Sequence, residues 1–331
     1  MRNQKVRYVC RRLERLLFGP GFDSPHLHSK SLPQGRLFLC RMDRMICLDK
    51  QPSQSSYRAT SRMRIEFTKM TGAGNDFVVI DNRSGLVKNG AELAQKLCDR
   101  RWGVGADGLL LLESSEKANY RMMYYNADGS YGGMCGNGGR CLAQYAYLNR
   151  IAQDRQKFEA LDHVYSAAIE KGSVTLSMKS PMNLKWNMVL PLARKKIKCH
   201  FVDTGSPHVV IPVRKGELAE TDVPRLGRKI RFHKKLSPAG TNVNFVEKGG
   251  GNSVKIRTYE RGVENETLAC GTGSIASAII AHKIWGMIPP ISVIPASRVE
   301  LHVDFTQREE TYTDVKLTGP ASIVFTGTID V

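Results

Sequence analysis

The chain has 331 residues, 41% of them hydrophobic and 24% charged, which is the balance of a globular protein with room for about two domains. It contains no run of about 18 apolar residues and no apolar segment followed by a small-residue cleavage site, so we expect a cytoplasmic protein without a membrane partner. The formal net charge of +18 is uneven, since residues 1–62 hold 13 Lys and Arg against 4 acidic residues. The rest is only mildly basic and lacks basic runs interleaved with aromatic residues, which argues against nucleic acid as a partner.

Residues 1–62 differ in character from the rest of the chain. They are rich in Arg, Ser and Pro with little sustained apolar periodicity, whereas Met63 opens MRIEFTKM, an alternating stretch typical of a strand. We interpret residues 1–62 as a disordered N-terminal extension, either of the transit-peptide type or translated from upstream of a true start at Met63. Nucleic-acid binding by this segment is a third hypothesis.

From Met63 onward, helix-like and strand-like stretches alternate. A helix is predicted for residues 90–101, where Leu93 and Leu97 share one face with Cys98. This mixture predicts an α/β (α+β) fold. Alternating or β-branched content predicts strands at 76–81, 108–113, 120–126, 173–178, 208–213, 241–247, 253–260, 298–305 and 322–329.

Two halves of the chain resemble each other. TGAGNDFVVI at 71–80 resembles TGSPHVVI at 204–211, and YYNADGS at 124–130 corresponds in position to TYERGVENET at 258–267. Offsets between matching positions cluster at 133 to 135 residues, as a duplicated unit requires. We therefore predict two similar domains whose equivalent loops face each other across a cleft.

The eight cysteines lack the dense spacing of a disulfide scaffold, and no paired His follows Cys135 and Cys141 at zinc-finger spacing. We therefore expect reduced thiols and no metal site. Cys98 and Cys141 fall in helical, apolar stretches and are predicted to pack in the core. Cys199 and His200 are adjacent in a strand-like stretch, so their side chains should point to opposite faces and cannot act as a pair.

Two cysteines stand in a different setting. MCGNGGRC at 134–141 and ACGTGS at 269–274 each place Cys-Gly-x-Gly after a polar turn and before a helical run. Glycines permit the sharp turn and expose backbone N–H groups, so Cys135 and Cys270 are predicted at helix N-termini. There the helix dipole should lower each thiol pKa from about 8.5, and the free N–H groups should favour a substrate carboxylate.

Two such cysteines on opposed loops predict two bases on opposite faces of one carbon. Racemisation or epimerisation needs that arrangement, because one thiolate removes the α-proton while the facing thiol returns a proton. The sequence has neither an evident lysine motif for a pyridoxal Schiff base nor a G-x-x-x-x-G-K-[ST] phosphate loop, so no cofactor is expected.

Four long motifs in order resemble the diaminopimelate epimerase family: KMTGAGNDFVVID, YYNADGSYGGMCGNGGRC, RTYERGVENETLACGTGS and LTGPASIVFTGTI. The resemblance covers essentially all of residues 63–331. It implies a pyridoxal-independent, cytoplasmic, usually homodimeric enzyme that interconverts LL- and meso-2,6-diaminopimelate on the route to lysine and peptidoglycan. It further implies two pseudo-symmetric domains, 63–180 plus 319–331 and 181–318, each a mixed, mainly antiparallel sheet or barrel around a central helix, with the active site in the interdomain cleft.

The resemblance also implies roles for individual residues. Cys135 and Cys270 correspond to the proton acceptor and donor, and His208 and Glu260 correspond to residues that adjust the thiol pKa values. The residues that correspond to the substrate cage are Asn75, Asn126, Gly136, Asn137, Asn242, Glu260, Arg261, Gly271 and Thr272.

The chemistry of these residue types agrees with such roles. The planar guanidinium of Arg261 suits a carboxylate, and asparagines in equivalent loops suit a zwitterion. His208 takes the place of Asp76 in the repeat as we align it. Two positions depart from the family pattern, since a substrate-contacting Gln of some members corresponds to Gly108 and an Asn that often precedes Pro-His corresponds to Ser206.

Two other functions are open on the residues alone. A proline or hydroxyproline racemase-type isomerase would also use two opposed cysteines, although an imino acid needs no second polar cage and such enzymes lack GAGNDF. A thiol redox protein in which Cys135 and Cys270 form a regulatory disulfide is the non-isomerase hypothesis.

Overall fold

The computed structural model describes residues 64–192, 195–236 and 238–331. The interpretations of residues 1–62 and of a start at Met63 lie outside these described residues. Within them the chain forms 17 strands, five α-helices and one 3-10 turn. No helix in this part of the chain is long and apolar enough to cross a membrane.

The first half of the described chain combines strands with two helices. Helix α1 begins after Asn89, whose side chain accepts a hydrogen bond from the N–H of Glu92, and it buries Leu93 and Leu97 as their spacing predicts. The elements are β1 (Arg64–Gly72), β2 (Asn75–Asp81), α1 (Gly90–Cys98), β3 (Gly108–Glu113), β4 (Tyr120–Asn126), α2 (Gly136–Leu148), β5 (Arg155–Ala160), β6 (His163–Glu170) and β7 (Ser173–Ser177).

The second half repeats this plan. Its outer helix α4 begins after Asp222, whose side chain accepts from the N–H of Arg225, and it has the same nine-residue length as α1. The elements are β8 (Met182–Leu192), β9 (Lys195–Asp203), β10 (Pro207–Val213), α3 (Glu217–Glu220), α4 (Val223–Arg231), the 3-10 turn (Lys234–Leu236), β11 (Asn242–Lys248), β12 (Ser253–Glu260), β13 (Asn265–Thr267), α5 (Gly271–Trp285), β14 (Ile291–Ile294), β15 (Leu301–Arg308), β16 (Thr311–Pro320) and β17 (Ser322–Asp330).

The two halves share one pattern of strand pairing. In the first half, β1–β2 and β3–β4 are antiparallel while β2–β3 and β4–β5 are parallel. In the second half, β9–β10 and β11–β12 are antiparallel while β10–β11 and β12–β14 are parallel. The predicted mixed fold with two pseudo-symmetric halves is confirmed.

The ends of the two halves are interlocked. β17 returns to pair with β1, just as β8 pairs with β9, and the antiparallel pair β7–β16 joins one half to the other. This connectivity supports the division that we propose, with 63–180 plus 319–331 as one domain and 181–318 as the other.

Each half encloses one helix. Helix α2 buries Cys141, Leu142 and Ala146 in the first core, and α5 buries Ile275 and Ile279 in the second. Helix α5 is buried on nearly every side from Gly271 to Ala281, so the sheet must cover this part of it all round. The sheets therefore hold both helices at fixed positions, and with them the two Cys-Gly-x-Gly turns that precede them.

The cysteines predicted to be structural lie in the core. Cys98, the last residue of α1, and Cys141, within α2, are both buried. Cys199 packs in the apolar cluster beneath α4, whereas His200 meets the ring of Trp186 edge-on in a different layer. These three interpretations are confirmed.

Candidate active site

Each Cys-Gly-x-Gly motif forms a helix start. Cys135 is the N-cap of α2 and Cys270 is the N-cap of α5, both with extended backbone. The Sγ of Cys135 accepts a hydrogen bond from the N–H of Gly138 at 3.4 Å, and the Sγ of Cys270 lies 3.5 Å from Oγ1 of Thr272. Small residues after each cap leave the first backbone N–H groups uncovered, as an anion-binding helix start requires.

The two helix starts touch each other. A Cβ atom built on Gly271 would lie 3.5 Å from Cα of Gly136, and the side chain of Leu317 packs beneath both glycines. A Cβ atom at either position would press on Cδ2 of Leu317, at 3.0 Å from Gly271 and 3.2 Å from Gly136, so glycine at both positions allows this close packing. The positive ends of both helix dipoles consequently meet at one point.

One cavity of about 290 Å³ lies at this junction, and both cysteines line it. All of the predicted cage residues line it too, as does Ser206, whereas Gly108 is not among its lining residues. His208 is fully buried behind Thr272 and does not reach the cavity wall. Lining residues that the sequence did not single out include Tyr124, Met134, Tyr165, Met178, Lys179, Thr204 and Val263.

Asparagines and a buried arginine organise the first-half wall. Asn137 donates from Nδ2 to Oδ1 of Asn75 and, at 3.2 Å, to the carbonyl of Ala269, the residue before Cys270. The guanidinium of Arg140 donates to Oδ1 of Asn137 at 2.8 Å and to the carbonyl of Gly136 at 3.3 Å. Arg140 is fully buried and makes no ion pair among the described residues.

Asn75 is held by a charged network outside the cavity. Its Nδ2 donates to Asp107 at 2.9 Å, and Asp107 and Asp76 both pair with Arg100. The ammonium of Lys69 also contacts Asp76. Although burial opposes it, hydrogen bonds and charge from Arg100 and Lys69 lower the pKa of Asp76 to about 2, so this anchor stays ionised.

The second-half wall is built around Asn242. Its Nδ2 donates to Oγ of Ser206 at 2.8 Å, and its Oδ1 accepts from the N–H of Arg261 at 2.8 Å. Glu260 accepts a hydrogen bond from Oγ1 of Thr267 at 2.9 Å, yet removal from water raises its pKa to about 7. A carboxyl group with that pKa can gain or lose a proton at physiological pH.

The thiol pKa values differ from the sequence prediction. Removal of sulfur from water raises the pKa of Cys135 to about 11 and also raises that of Cys270. The amide of Gly138 and the hydroxyl of Thr272 act in the opposite direction, but burial and the nearby Glu260 outweigh them. The expectation of lowered pKa values was wrong for this structure, because burial costs the thiolate more than the helix start returns.

One hydrogen-bonding partner of His208, Asn244, was missed in the sequence, whereas the other, Thr272, was predicted as a cage residue. The Nε2 of His208 lies 2.9 Å from Oγ1 of Thr272, and its Nδ1 lies 3.0 Å from Nδ2 of Asn244. Burial, and to a lesser extent Arg261, lower the pKa of His208 to about 3, which keeps the ring neutral. The available signal was NVN in β11, since a period of two puts Asn244 on the same strand face as Asn242.

The repeat alignment at His208 also needs correction. Strand register pairs His208 with Asn242 and Phe77 with Gly108. His208 therefore takes the place of Phe77 rather than that of Asp76.

No group of three or more His, Cys, Asp or Glu within the described ranges is arranged to hold a metal ion.

The model of the family described as diaminopimelate epimerase matches residues 67–183 and 200–293, which include both cysteine motifs. A diaminopimelate epimerase of Chlorobaculum tepidum is 44% identical over 271 residues, covering 78% of this chain and 99% of that protein. A second, from Aquifex aeolicus, is 39% identical over 276 residues, covering 80% and 97%. The chain belongs to the diaminopimelate epimerase family.

Solved structures with this fold extend beyond the diaminopimelate epimerase family. A phenazine biosynthesis protein of the PhzF family from Bacillus anthracis matches with a TM-score of 0.63 at 14% identity, covering 81% of this chain and all of that one. A hydroxyproline epimerase from Agrobacterium vitis, with bound trans-4-hydroxy-L-proline, matches with a TM-score of 0.60 at 13% identity, covering 81% and 93%. At such identity these likenesses establish a shared fold.

Proposed function

We propose that this protein interconverts LL- and meso-2,6-diaminopimelate, without a cofactor, by a two-base mechanism that uses Cys135 and Cys270. The observation that carries the proposal is the contact between the two cysteine-capped helix starts, with both cysteines lining one cavity of about 290 Å³. Membership of the family supplies the substrate. The product would serve the synthesis of lysine and of peptidoglycan precursors.

The meeting of the two helix starts suits the reacting end of the substrate. The N–H groups at the beginning of α2 and α5 converge on one point, where they can receive the α-carboxylate. One sulfur then removes the α-proton and the other delivers a proton to the opposite face. The same N–H donors stabilise the negative charge that spreads onto the carboxylate in the carbanion.

Raised thiol pKa values are compatible with this chemistry. A substrate ammonium group entering the cavity adds positive charge beside the sulfurs, which favours a thiolate when it is needed. Glu260, with a pKa of about 7, is suited to take up the proton released as that thiolate forms. His208, buried behind Thr272, acts on Cys270 through the threonine hydroxyl.

The remaining cage residues suit the distal amino-acid group. We assign the distal carboxylate to the guanidinium of Arg261, because a planar fork binds a carboxylate through two hydrogen bonds. The side-chain oxygens of Asn75, Asn126, Asn242 and Glu260 can accept from the distal ammonium. An imino acid such as proline has no distal group to fill these positions.

A substrate panel with isotope exchange tests the proposal. In D2O, LL-diaminopimelate should become meso with deuterium incorporated at the α-carbon, whereas L-proline and trans-4-hydroxy-L-proline should not change. Cys135→Ser and Cys270→Ser should each abolish epimerisation. Cys199 lies in a different core cluster, so the Cys199→Ala control should retain epimerase activity. Racemisation of proline without turnover of diaminopimelate would refute the assignment.

The same assay addresses the redox hypothesis. Among the described cysteines all five are free thiols, Cys135 and Cys270 included. An isomerase requires both in the reduced form, so oxidant should stop turnover and reductant should restore it. Full activity of the oxidised protein would contradict the two-base mechanism. The need for reduced thiols also leads us to propose a cytoplasmic location.

We further propose a homodimer that associates through β17. Three successive large apolar side chains of this strand are exposed, Ile323 by 43%, Val324 by 56% and Phe325 by 46%. Large exposed apolar side chains concentrated on one strand are typical of a subunit interface. Phe325→Glu should convert a dimer to a monomer in sedimentation velocity, and a wild-type protein that sediments as a monomer would disprove the proposal.

A further inference from the structure

The buried side chains behind Cys270 define the tautomer of His208. Nδ2 of Asn244 donates to the carbonyl of Val209 at 3.2 Å, so this side of the amide must be the NH2 group. The hydroxyl of Thr258 donates to the other side, Oδ1, at 2.9 Å. Since an NH2 group cannot accept, Nδ1 of His208, 3.0 Å from Nδ2, must be the acceptor. The ring proton therefore lies on Nε2.

The hydrogen bonds keep the same donor-to-acceptor direction as far as the sulfur of Cys270. The Nε2–H of His208 donates to Oγ1 of Thr272 at 2.9 Å. With its oxygen accepting that bond, the threonine hydroxyl still has its own proton to donate, and Sγ of Cys270 is 3.5 Å away. The hydrogen bonds thus run in one direction, from Thr258 and Asn244 through His208 and Thr272 to Cys270.

The first half has no counterpart of this arrangement. Strand register pairs Asn244 with Thr258 and, in the first half, Leu110 with Tyr124. An added Cβ at Gly273 would meet Oδ1 of Asn244, and the equivalent atom at Gly138 would meet Cδ2 of Leu110. Leu110 therefore takes the place of Asn244 beneath Cys135.

A buried amide and imidazole cost stability compared with an apolar pair, unless every hydrogen bond is made. Here Asn244 and His208 are fully buried and their side-chain hydrogen bonds are satisfied. The second half bears this cost while the first half packs Leu110 and Phe77 at the same positions. The polar layer therefore acts on Cys270 alone.

We propose that Asn244 is a positioning residue that holds neutral His208 in its Nε2–H tautomer, so that the hydroxyl of Thr272 donates to Cys270 and makes the two thiols chemically unequal. This rests on the proposed function for its catalytic meaning, but the tautomer and the thiol reactivity can be measured without substrate. A failure of either measurement is therefore distinguishable from a failure of epimerisation.

The decisive variant is Asn244→Leu, which installs the residue that stands at the equivalent place in the first half. With ¹⁵N-labelled histidine, the wild-type spectrum should assign the proton of His208 to Nε2, with the signals identified by comparison with His208→Gln. In Asn244→Leu a population protonated at Nδ1 should appear. A wild-type spectrum with the proton on Nδ1 would overturn the proposal without any variant.

Thiol reactivity supplies the second measurement. Peptide-resolved alkylation should be about tenfold slower at Cys270 in Asn244→Leu, the effect expected for losing one hydrogen bond to a thiolate. Cys135 should be unchanged and is the internal control. Thr272→Val should slow the alkylation of Cys270 to the same extent while leaving the tautomer of His208 as in wild type. Thr272→Ser should restore the alkylation rate.

Alkylation rates of Cys270 that agree within twofold between wild type and Asn244→Leu would overturn the proposal. An equal fall in the alkylation rates of Cys135 and Cys270 would overturn it too. If Asn244→Leu does not fold, the wild-type tautomer of His208 together with the Thr272→Val and Thr272→Ser pair decides the matter. A Thr272→Val protein with unaltered Cys270 reactivity then refutes the hydroxyl donor.

Discussion

Gly136 and Gly271 lie in backbone contact, so that a Cβ atom added to Gly271 would be 3.5 Å from Cα of Gly136. Each is the first residue of a buried helix, and each follows a cysteine. The separation of the two helix starts therefore sets the separation of Cys135 and Cys270, the two bases of the proposed mechanism. Reactions that need two groups on opposite faces of one carbon lose rate steeply when that distance changes.

Gly271→Ala tests this contact. The added Cβ would lie 3.0 Å from Cδ2 of Leu317, so the α5 turn or that side chain must shift. We expect kcat/KM to fall at least tenfold while the free energy of unfolding changes by no more than about 1–3 kcal/mol. Gly250→Ala is the matched control, because no atom lies within 4 Å of its added Cβ. Undiminished kcat/KM in Gly271→Ala would argue against a critical spacing.

The pKa of Glu260 predicts a pH-dependent stability. Burial raises it to about 7 from an ordinary value of 4.5, so this group contributes stability below about pH 4.5 that is lost as pH rises through 7. Glu260→Gln keeps an acceptor for Thr267 and cannot ionise. Between pH 5 and pH 8 in urea, wild type should therefore lose about 2 kcal/mol more of its unfolding free energy than Glu260→Gln. Parallel losses in the two proteins would show that the carboxyl titrates normally.

The pKa of Cys135 predicts slow alkylation in the absence of substrate. Only the thiolate reacts, and with a pKa of about 11 its fraction at pH 8 is about 1000-fold below that of full ionisation. The peptide-resolved rate at Cys135 should rise about tenfold per pH unit between about pH 8 and pH 10 without a plateau. In urea the same cysteine should reach its plateau near about pH 9–10. A plateau below pH 9 in the folded protein would restore the expectation of a lowered pKa.

Arg140 should matter more for activity than for stability. Its guanidinium holds Asn137, and Asn137 contacts Asn75 and the carbonyl that precedes Cys270. In Arg140→Met a buried charge is replaced by an apolar side chain of similar length, which offsets the loss of hydrogen bonds. We expect unfolding free energy within about 2 kcal/mol of wild type and kcat/KM reduced by about 100-fold or more.

The exposed Arg155 provides the control, since Arg155→Met removes a cation without touching the cavity. A loss of stability in Arg140→Met large enough to explain the loss of activity would assign Arg140 to the fold alone.

Several strands could not be predicted from an alternation of polar and apolar residues. Five strands that the sequence analysis left unassigned are β5 (Arg155–Ala160), β6 (His163–Glu170), β8 (Met182–Leu192), β9 (Lys195–Asp203) and β16 (Thr311–Pro320). In β8 and β9, lysines and apolar residues are mixed and many side chains are exposed, so the contrast between faces is weak. Long antiparallel pairing across the sheet, which is a tertiary interaction, stabilises them as strands.

The sequence by itself determined the two cysteine-capped helix starts, the duplication and the family, because caps, glycine turns and repeats are encoded in short stretches of chain. Only the tertiary structure decided that the thiol pKa values rise, that β17 pairs with β1 and that a polar layer stands behind Cys270 alone. Burial, the pairing of β17 with β1 and the hydrogen bonds between β10, β11 and α5 all join residues that are far apart in the chain. No local sequence pattern encodes how completely water is excluded where they meet.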